Sequence, residues 1–173
     1  TFDLANNRME LHEQHAEHWK VTLVDTGEKT QTGGRLRRVA DHLRDGEPFC
    51  LTYGDGVADV NIAAAIAQHK ASGLEATVTA TYPPGRFGAL DIQDGRVMAF
   101  REKPRGDGGL INGGFFVLEK SVLPLIEGDD TIWEREPLEA LAGKGQLGCF
   151  VHDGFWQPMD TLRDRVYLEE LWN

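Results

Sequence analysis

Pro48-Phe49-Cys50-Leu51-Thr52-Tyr53-Gly54-Asp55-Gly56 reads as a buried strand running straight into an acid flanked by glycines. Residues 49–53 have the length and apolar character of a strand inside a sheet, and Gly54 allows the chain to turn sharply as it leaves. Asp55 would then stand at the carboxyl end of a strand, where open α/β sheets bind their ligands. A carboxylate there can hold Mg²⁺ against the phosphates of a nucleotide. It can equally cap the next helix or shape a loop. Gly-Asp alone leaves both readings of Asp55 open.

Upstream, Lys20-Val21-Thr22-Leu23-Val24 is strand-like, and Asp25-Thr26-Gly27 closes it as a turn. Thr30 to Gly34 leads into a helix, because Leu36, Val39, Ala40 and Leu43 recur at helical spacing. The glycine-rich entry of that helix suggests a seat for an anion, with Arg35 placed to reach a ligand and Arg37 and Arg38 on a solvated face. Downstream, Ile62, Ala65, Ile66 and His69 predict a second helix, and residues 76–80 a β-branched strand. Strands alternating with helices argue for an α/β domain with a mixed, mostly parallel sheet of Rossmann-like type. Residues 88–92 and 96–100 flank Gln93-Asp94-Gly95, and Asp-Gly predicts an inserted β-hairpin. Strands at 114–118 and 147–152 follow, with helices near 121–126, 133–142 and 161–172. The 173 residues suit a single domain.

Composition narrows the function classes. Hydrophobic residues make up 40% and charged residues 27%, as in a globular protein, and no apolar run nears the ~18 residues of a membrane span. A net charge of −10 argues against nucleic acid as a partner, since phosphate-backbone binding needs a basic face. A small phosphorylated ligand needs only a few placed cations and stays compatible. Cys50 and Cys149 lie in apolar stretches and are expected to be buried free thiols in a reducing cytoplasm. His12, His15 and His18 would crowd one helical face, but without a further ligand they read as solvent-facing.

Three more segments could carry chemistry. Glu102-Lys103-Pro104 sits at the exit of the hairpin, where a carboxylate can accept from sugar hydroxyls and an ammonium can meet a phosphate. An exposed ion pair is the plainer reading. Asn112-Gly113-Gly114 opens an apolar strand. Its glycines permit close backbone approach to a ligand, though an ordinary turn would use them as well. In Trp156-Gln157-Pro158-Met159-Asp160-Thr161, Asp160 is either the cap of the last helix or a second metal carboxylate.

Taken together, these segments resemble the sugar-nucleotidyltransferases and, within them, the glucose-1-phosphate cytidylyltransferases. The likeness rests on residues 21–27, Thr32-Gly33-Gly34-Arg35-Leu36, Tyr53-Gly54-Asp55-Gly56-Val57, Pro83-Pro84-Gly85-Arg86-Phe87-Gly88-Ala89-Leu90, Glu102-Lys103-Pro104, Asn112-Gly113-Gly114-Phe115-Phe116 and residues 154–161. The Pro-Pro-Gly-Arg-Phe-Gly-Ala-Leu and Phe-Trp-Gln-Pro-Met-Asp-Thr runs belong to the cytidylyl branch. The family opens on a glycine-rich Gly-Gly-x-Gly-Thr-Arg-Leu segment followed by Lys-Pro, and neither occurs here. The chain is therefore expected to be the carboxyl-terminal two-thirds of a catalytic domain and incomplete as a catalyst by itself.

What the resemblance implies is transfer of a cytidylyl group from CTP to α-D-glucose 1-phosphate, giving CDP-glucose and pyrophosphate. It implies Mg²⁺ on Asp55 and Asp160, about a hundred residues apart, and catalytic roles for Asp55, Asp160 and Lys103. Glu102 would orient glucose hydroxyls and Lys103 would bind the sugar phosphate. Asn112 and Gly113 would shape the sugar pocket, beside Gly54, while Thr30 and Arg35 would contact phosphate or nucleotide. Trp156 stacks on a ligand or packs in the core. A cytoplasmic homo-oligomer is the implied assembly. A relative using dTTP, UTP or GTP is one rival, and a non-catalytic sugar-phosphate-binding fragment another. A metal-dependent glycosyltransferase is a third, although Gly54-Asp55-Gly56 lacks the paired acid of an Asp-x-Asp motif.

Overall fold

The computed structural model describes residues 1–10, 19–84, 89–93, 96–101 and 109–172. A two-residue hairpin pair, β1 (Phe2–Asp3) and β2 (Arg8–Met9), is followed by α1 (Thr32–Arg38) and a 3-10 turn (Ala40–His42). Next come β3 (Phe49–Thr52), β4 (Gly56–Ala58), α2 (Ile62–Ser72) and β5 (Ala76–Thr81). The chain continues through β6 (Ala89–Gln93), β7 (Arg96–Arg101) and β8 (Ile111–Leu118) to a 3-10 segment (Lys120–Leu125). It ends with α3 (Glu136–Gly143), β9 (Leu147–His152), β10 (Trp156–Pro158) and α4 (Leu162–Trp172).

The central sheet has the order β3-β8-β5-β9. β5 and β9 pair in parallel, while β8 is antiparallel to both β3 and β5. Thus β3, β5 and β9 run one way, as the alternation of strands and helices predicts, and β8 runs against them. β8 follows the antiparallel pair β6–β7 rather than a helical crossover, and this entry reverses its direction. The Asp94-Gly95 turn of that hairpin, residues 85–88, Glu102-Lys103-Pro104 and His12, His15 and His18 lie outside the described residues.

Alternation along the strands separates two faces. Phe116 and Leu118 of β8 and Ala76 of β5 join Leu36 of α1, Leu141 of α3, Val122, Ile126 and Trp133 in one core. Phe116 is its hinge point, meeting Tyr53 edge-on at 5.9 Å and Trp133 at 6.2 Å. α2 covers the opposite face, where buried His69 stands between the Thr77 hydroxyl at 2.9 Å and the Glu119 carboxylate at 3.3 Å. Helices on both sheet faces make an α/β arrangement of three layers.

Two expectations change. Residues 20–24 are assigned to no strand, and Val21 and Leu23 are 70% and 93% exposed; a β-branched run needs a neighbour to pair with, and these residues have none among those described. Cys50 and Cys149 are free but exposed, because each occupies an outward position of its alternating strand. Arg37 and Arg38 lie on the exposed face of α1, as expected, and are paired there: Arg37 donates to the Glu127 carbonyl at 2.6 Å, and Arg38 grips Asp129 through Nε at 3.0 Å. That pairing holds the Asp129 carboxyl below its ordinary range and the Arg38 guanidinium above its own.

Candidate functional site

The three-residue strands β4 and β10 bring the ends of the site together. They pair antiparallel, with Gly56 opposite Pro158, Val57 opposite Gln157 and Ala58 opposite Trp156. One step beyond the ribbon, the Met159 N–H donates to the Asp55 carbonyl at 2.7 Å. Asp55 and Asp160 consequently line one cavity of about 180 Å³, with Tyr53, Gly56, Asn112, Gly113, Gly114, Trp156 and Pro158.

Neither helix that follows these aspartates needs them as a cap. α2 is capped by Asn61, whose side chain accepts from the Ala64 N–H at 3.0 Å. At the start of α4 the Thr161 hydroxyl accepts from the Asp164 N–H at 3.2 Å, and the Asp164 carboxylate accepts from the Thr161 N–H at 3.0 Å. This reciprocal box contributes about 1 kcal/mol to the helix end.

Gly113 and Gly114 serve the cavity by packing. The register of β5 against β8 shifts between Val78 and Ala80, opposite Phe116 and Asn112, so β8 bulges at the two glycines. Gly114 has φ +77°, and the space of its missing Cβ is taken by the Tyr53 ring at 2.8 Å. The Asn112 side-chain carbonyl accepts from the Gly114 N–H at 2.8 Å and fixes the bulge. The Gly113 carbonyl accepts from the Trp156 indole at 2.8 Å, so Trp156 is locked to the cavity wall. Gly54 is exposed, with φ outside the left-handed range and open space where a Cβ would stand. The chain does turn at residues 54–55 as it leaves β3, as the sequence leads one to expect, although that turn makes no special demand for glycine.

The remaining candidates lie elsewhere. Thr30 and Arg35 do not line the cavity. Thr30 is buried, its hydroxyl beside Gly27. Arg35 donates to the Thr26 hydroxyl at 2.7 Å and to the Glu28 carbonyl at 3.1 Å. The expected anion seat at the start of α1 is filled by backbone: Gln31 N–H donates to the Asp129 carbonyl at 2.8 Å, and Gly33 N–H to the Thr131 carbonyl at 3.0 Å. A larger hollow of about 450 Å³ is lined by Glu127, Asp129, Asp130 and Glu136, whose charges oppose any phosphate.

Glu134 was not evident from the sequence, and Tyr53 stood in a nominated segment without a role of its own. Tyr53 walls the cavity, and Glu134 accepts from its phenol. Burial, and then the neighbouring Glu134 carboxylate, push the Tyr53 phenol well above its ordinary range. Glu134 sits 81 residues away, in a segment with no periodicity to single it out. Among the described residues no group of three or more His, Cys, Asp or Glu could hold a metal ion. Two carboxylates on one cavity are nevertheless the number that a divalent cation such as Mg²⁺ takes from a protein, its shell being completed by water and phosphate oxygens.

Comparison with known proteins follows this geometry. The family model "Nucleotidyl transferase" matches residues 4–157. A glucose-1-phosphate cytidylyltransferase of Salmonella typhi is 64% identical over 172 residues, covering 99% of this chain and 67% of that protein. A probable glucose-1-phosphate cytidylyltransferase of Bacillus subtilis is 40% identical over 174 residues, with 100% and 67% covered. The crystal structure of HddC from Yersinia pseudotuberculosis superposes with a TM-score of 0.62 at 20% identity, covering 84% of this chain and 64% of that one. The chain thus spans about two thirds of the length of its curated relatives and slightly less of that structural neighbour.

Proposed function

The chain belongs to the nucleotidyl transferase family, and from that premise we propose that the whole protein transfers a cytidylyl group from CTP to α-D-glucose 1-phosphate, releasing pyrophosphate and forming CDP-glucose. The observation that carries the proposal is the meeting of Asp55 and Asp160 on one cavity within a chain 64% identical to a glucose-1-phosphate cytidylyltransferase.

The reaction brings two polyanions together, so positioning and charge neutralisation are its main burdens. The sugar phosphate oxygen attacks the α-phosphorus of CTP, forming the new P–O bond as the bond to pyrophosphate breaks. Asp55 and Asp160 hold the divalent cation that enzymes of this family generally use, which we take to be Mg²⁺; when bound, it neutralises phosphate charge. Asn112 and the Gly113–Gly114 bulge shape the hexose end. Glu102 orients sugar hydroxyls and the Lys103 ammonium meets the sugar phosphate. Thr30 and Arg35, both turned to the 26–28 loop, reach substrate through that loop. No covalent enzyme intermediate is needed, since water is not the acceptor and the sugar phosphate is itself a nucleophile.

Among the described residues no helix is long and apolar enough to cross a membrane. We place the protein in the cytoplasm as a homo-oligomer whose ligands are CTP and glucose 1-phosphate, with neither nucleic acid nor membrane as partner. The experiment that tests the reaction offers the full-length protein CTP, dTTP, UTP and GTP, each with glucose 1-phosphate and Mg²⁺, and reads pyrophosphate release. CTP should support turnover at least ~10-fold better than any other nucleotide, about 1.4 kcal/mol of discrimination. Preference for another nucleotide would move the protein to a sister activity, and release with none would leave a binding module.

A further inference from the structure

His152 closes β9, an edge strand of the central sheet, and its side chain is buried. Its Nε2 stands 3.0 Å from the Phe155 carbonyl oxygen and 3.1 Å from Asp59 Oδ1. A carbonyl oxygen only accepts, so Nε2 carries a hydrogen and donates. The same Phe155 carbonyl accepts from the Asp59 backbone N–H at 3.2 Å. Imidazole, carbonyl and Asp59 thus form one closed knot. Gly154 packs so tightly against it that a Cβ there would stand 2.5 Å from Asp59 Oδ1 and 2.6 Å from His152 Cε1. The Asp59 side chain is largely exposed, so charge attraction adds little and the bond to the Phe155 carbonyl makes the attachment.

The knot lies at the end of the β4–β10 ribbon opposite the aspartates. Asp59 and Phe155 close that end, and Asp55 and Met159 close the other. A two-stranded ribbon this short does not hold an orientation in water by itself; it takes its orientation from its ties to the central sheet. The Trp156 indole ties its middle to Gly113 of β8, and His152 ties its far end to β9, where it lies opposite Thr81 of β5. Without the second tie the ribbon pivots on the first. Asp55 and Asp160 then move together, because the Met159 N–H still holds the Asp55 carbonyl, and their place relative to Asn112 and Gly113 changes.

We propose that His152 is a positioning residue: from outside the cavity it sets where the Asp55–Asp160 pair stands against the Asn112–Gly113 wall. The proposal rests on the reading of that cavity as the site of cytidylyl transfer. Neither His152 nor Asp59 lines the cavity, so their influence passes through the ribbon.

Two variants of like polarity separate this role from a merely structural one in the full-length protein. A glutamine amide puts its N–H near the place of Nε2, whereas an asparagine amide puts it near Nδ1, short of the Phe155 carbonyl. His152→Asn should lower kcat roughly 10- to 100-fold, the cost of an ångström-scale misplacement, and His152→Gln should recover it to within ~3-fold of the wild type. Mn²⁺ affinity, read by electron paramagnetic resonance of the free ion, should stay within ~3-fold of the wild type in both, since the two carboxylates travel as a pair. Hydrogen exchange supplies a readout independent of ligands: the Asp59 amide should exchange about 10-fold faster in His152→Asn than in His152→Gln. Equal kcat in the two variants, equal exchange, or Mn²⁺ binding lost in step with kcat would overturn the proposal. If Asp55→Ala keeps its turnover, the reading of the cavity fails and this inference with it. If Asp55→Ala is inactive and His152→Asn turns over like the wild type, the inference fails alone.

Discussion

Replacing Asp55 or Asp160 by Ala in the full-length protein should lower CDP-glucose formation by ~10³-fold or more, while the folded fraction and melting temperature stay near wild type. The size follows from electrostatics: loss of one preorganised group facing developing charge costs on the order of 10²–10³, and loss of a metal carboxylate adds weaker cation binding. The selectivity follows from the ribbon. Asp55 joins β4 to β10 through its backbone carbonyl, which accepts from Met159, and that bond survives removal of the carboxylate. Asp160 lies beyond the ribbon, and the helix after it is held by the Thr161–Asp164 box. The isosteric variants Asp55→Asn and Asp160→Asn should lose activity comparably, since it is charge that counts. Initial rates at saturating Mg²⁺ and CTP, with thermal melts on the same samples, check both halves. Near-normal turnover in either Ala variant would remove that aspartate from the site.

Gly34→Ala should be the most damaging of the small substitutions in α1. A Cβ there would stand 2.5 Å from the Asp129 carbonyl oxygen, 2.7 Å from the Asp129 Cα and 2.7 Å from the Thr30 Cγ2. Two of these are backbone atoms, so nothing flexible can yield, and relief requires moving α1 away from residues 129–131. That movement breaks the N–H bonds of Gln31 and Gly33 to the Asp129 and Thr131 carbonyls and disturbs Leu36 in the core. Overpacking of this kind costs roughly 1–3 kcal/mol or more. Gly143→Ala is the control: it closes α3, has no positive φ, and its Cβ would meet nothing within 4 Å. Urea midpoints should fall clearly for Gly34→Ala and stay level or rise slightly for Gly143→Ala. Equal midpoints would show that the contact between α1 and residues 129–131 is looser than its geometry implies.

How much of this was legible beforehand depended on whether the information was local. The strands at 49–52 and 147–152 and the helices at 62–72 and 162–172 carry their own periodicity, and all four formed where residue patterns placed them. The direction of β8 was not legible, since an apolar strand reads the same whether it runs with or against its neighbours. Gly33 and Gly34 show the same limit at single residues. Glycines admit close backbone approach, and nothing local says whether a phosphate or another stretch of chain will approach; here residues 129–131 did.

At the site, resemblance and spacing nominated Asp55, Asp160, Asn112 and Gly113, and the structure gathers these four around one cavity. The means of gathering were invisible, because β4 and β10 are three residues long and too short for any pattern to register. Glu134 and Tyr53 were missed as a pair for a related reason. Their bond joins segments 81 residues apart and leaves no trace in either one. Thr30 and Arg35 were nominated by family position, and their side chains instead brace the 26–28 loop.

The most direct test of the two-aspartate cation site is a crystal of the full-length protein grown with CDP-glucose and Mn²⁺ in place of Mg²⁺. Anomalous density should show one ion within bonding distance of carboxylate oxygens from both Asp55 and Asp160, with its remaining positions filled by phosphate oxygens and water. An ion on other residues, or bound to only one of these carboxylates while the other points away, would contradict the assignment.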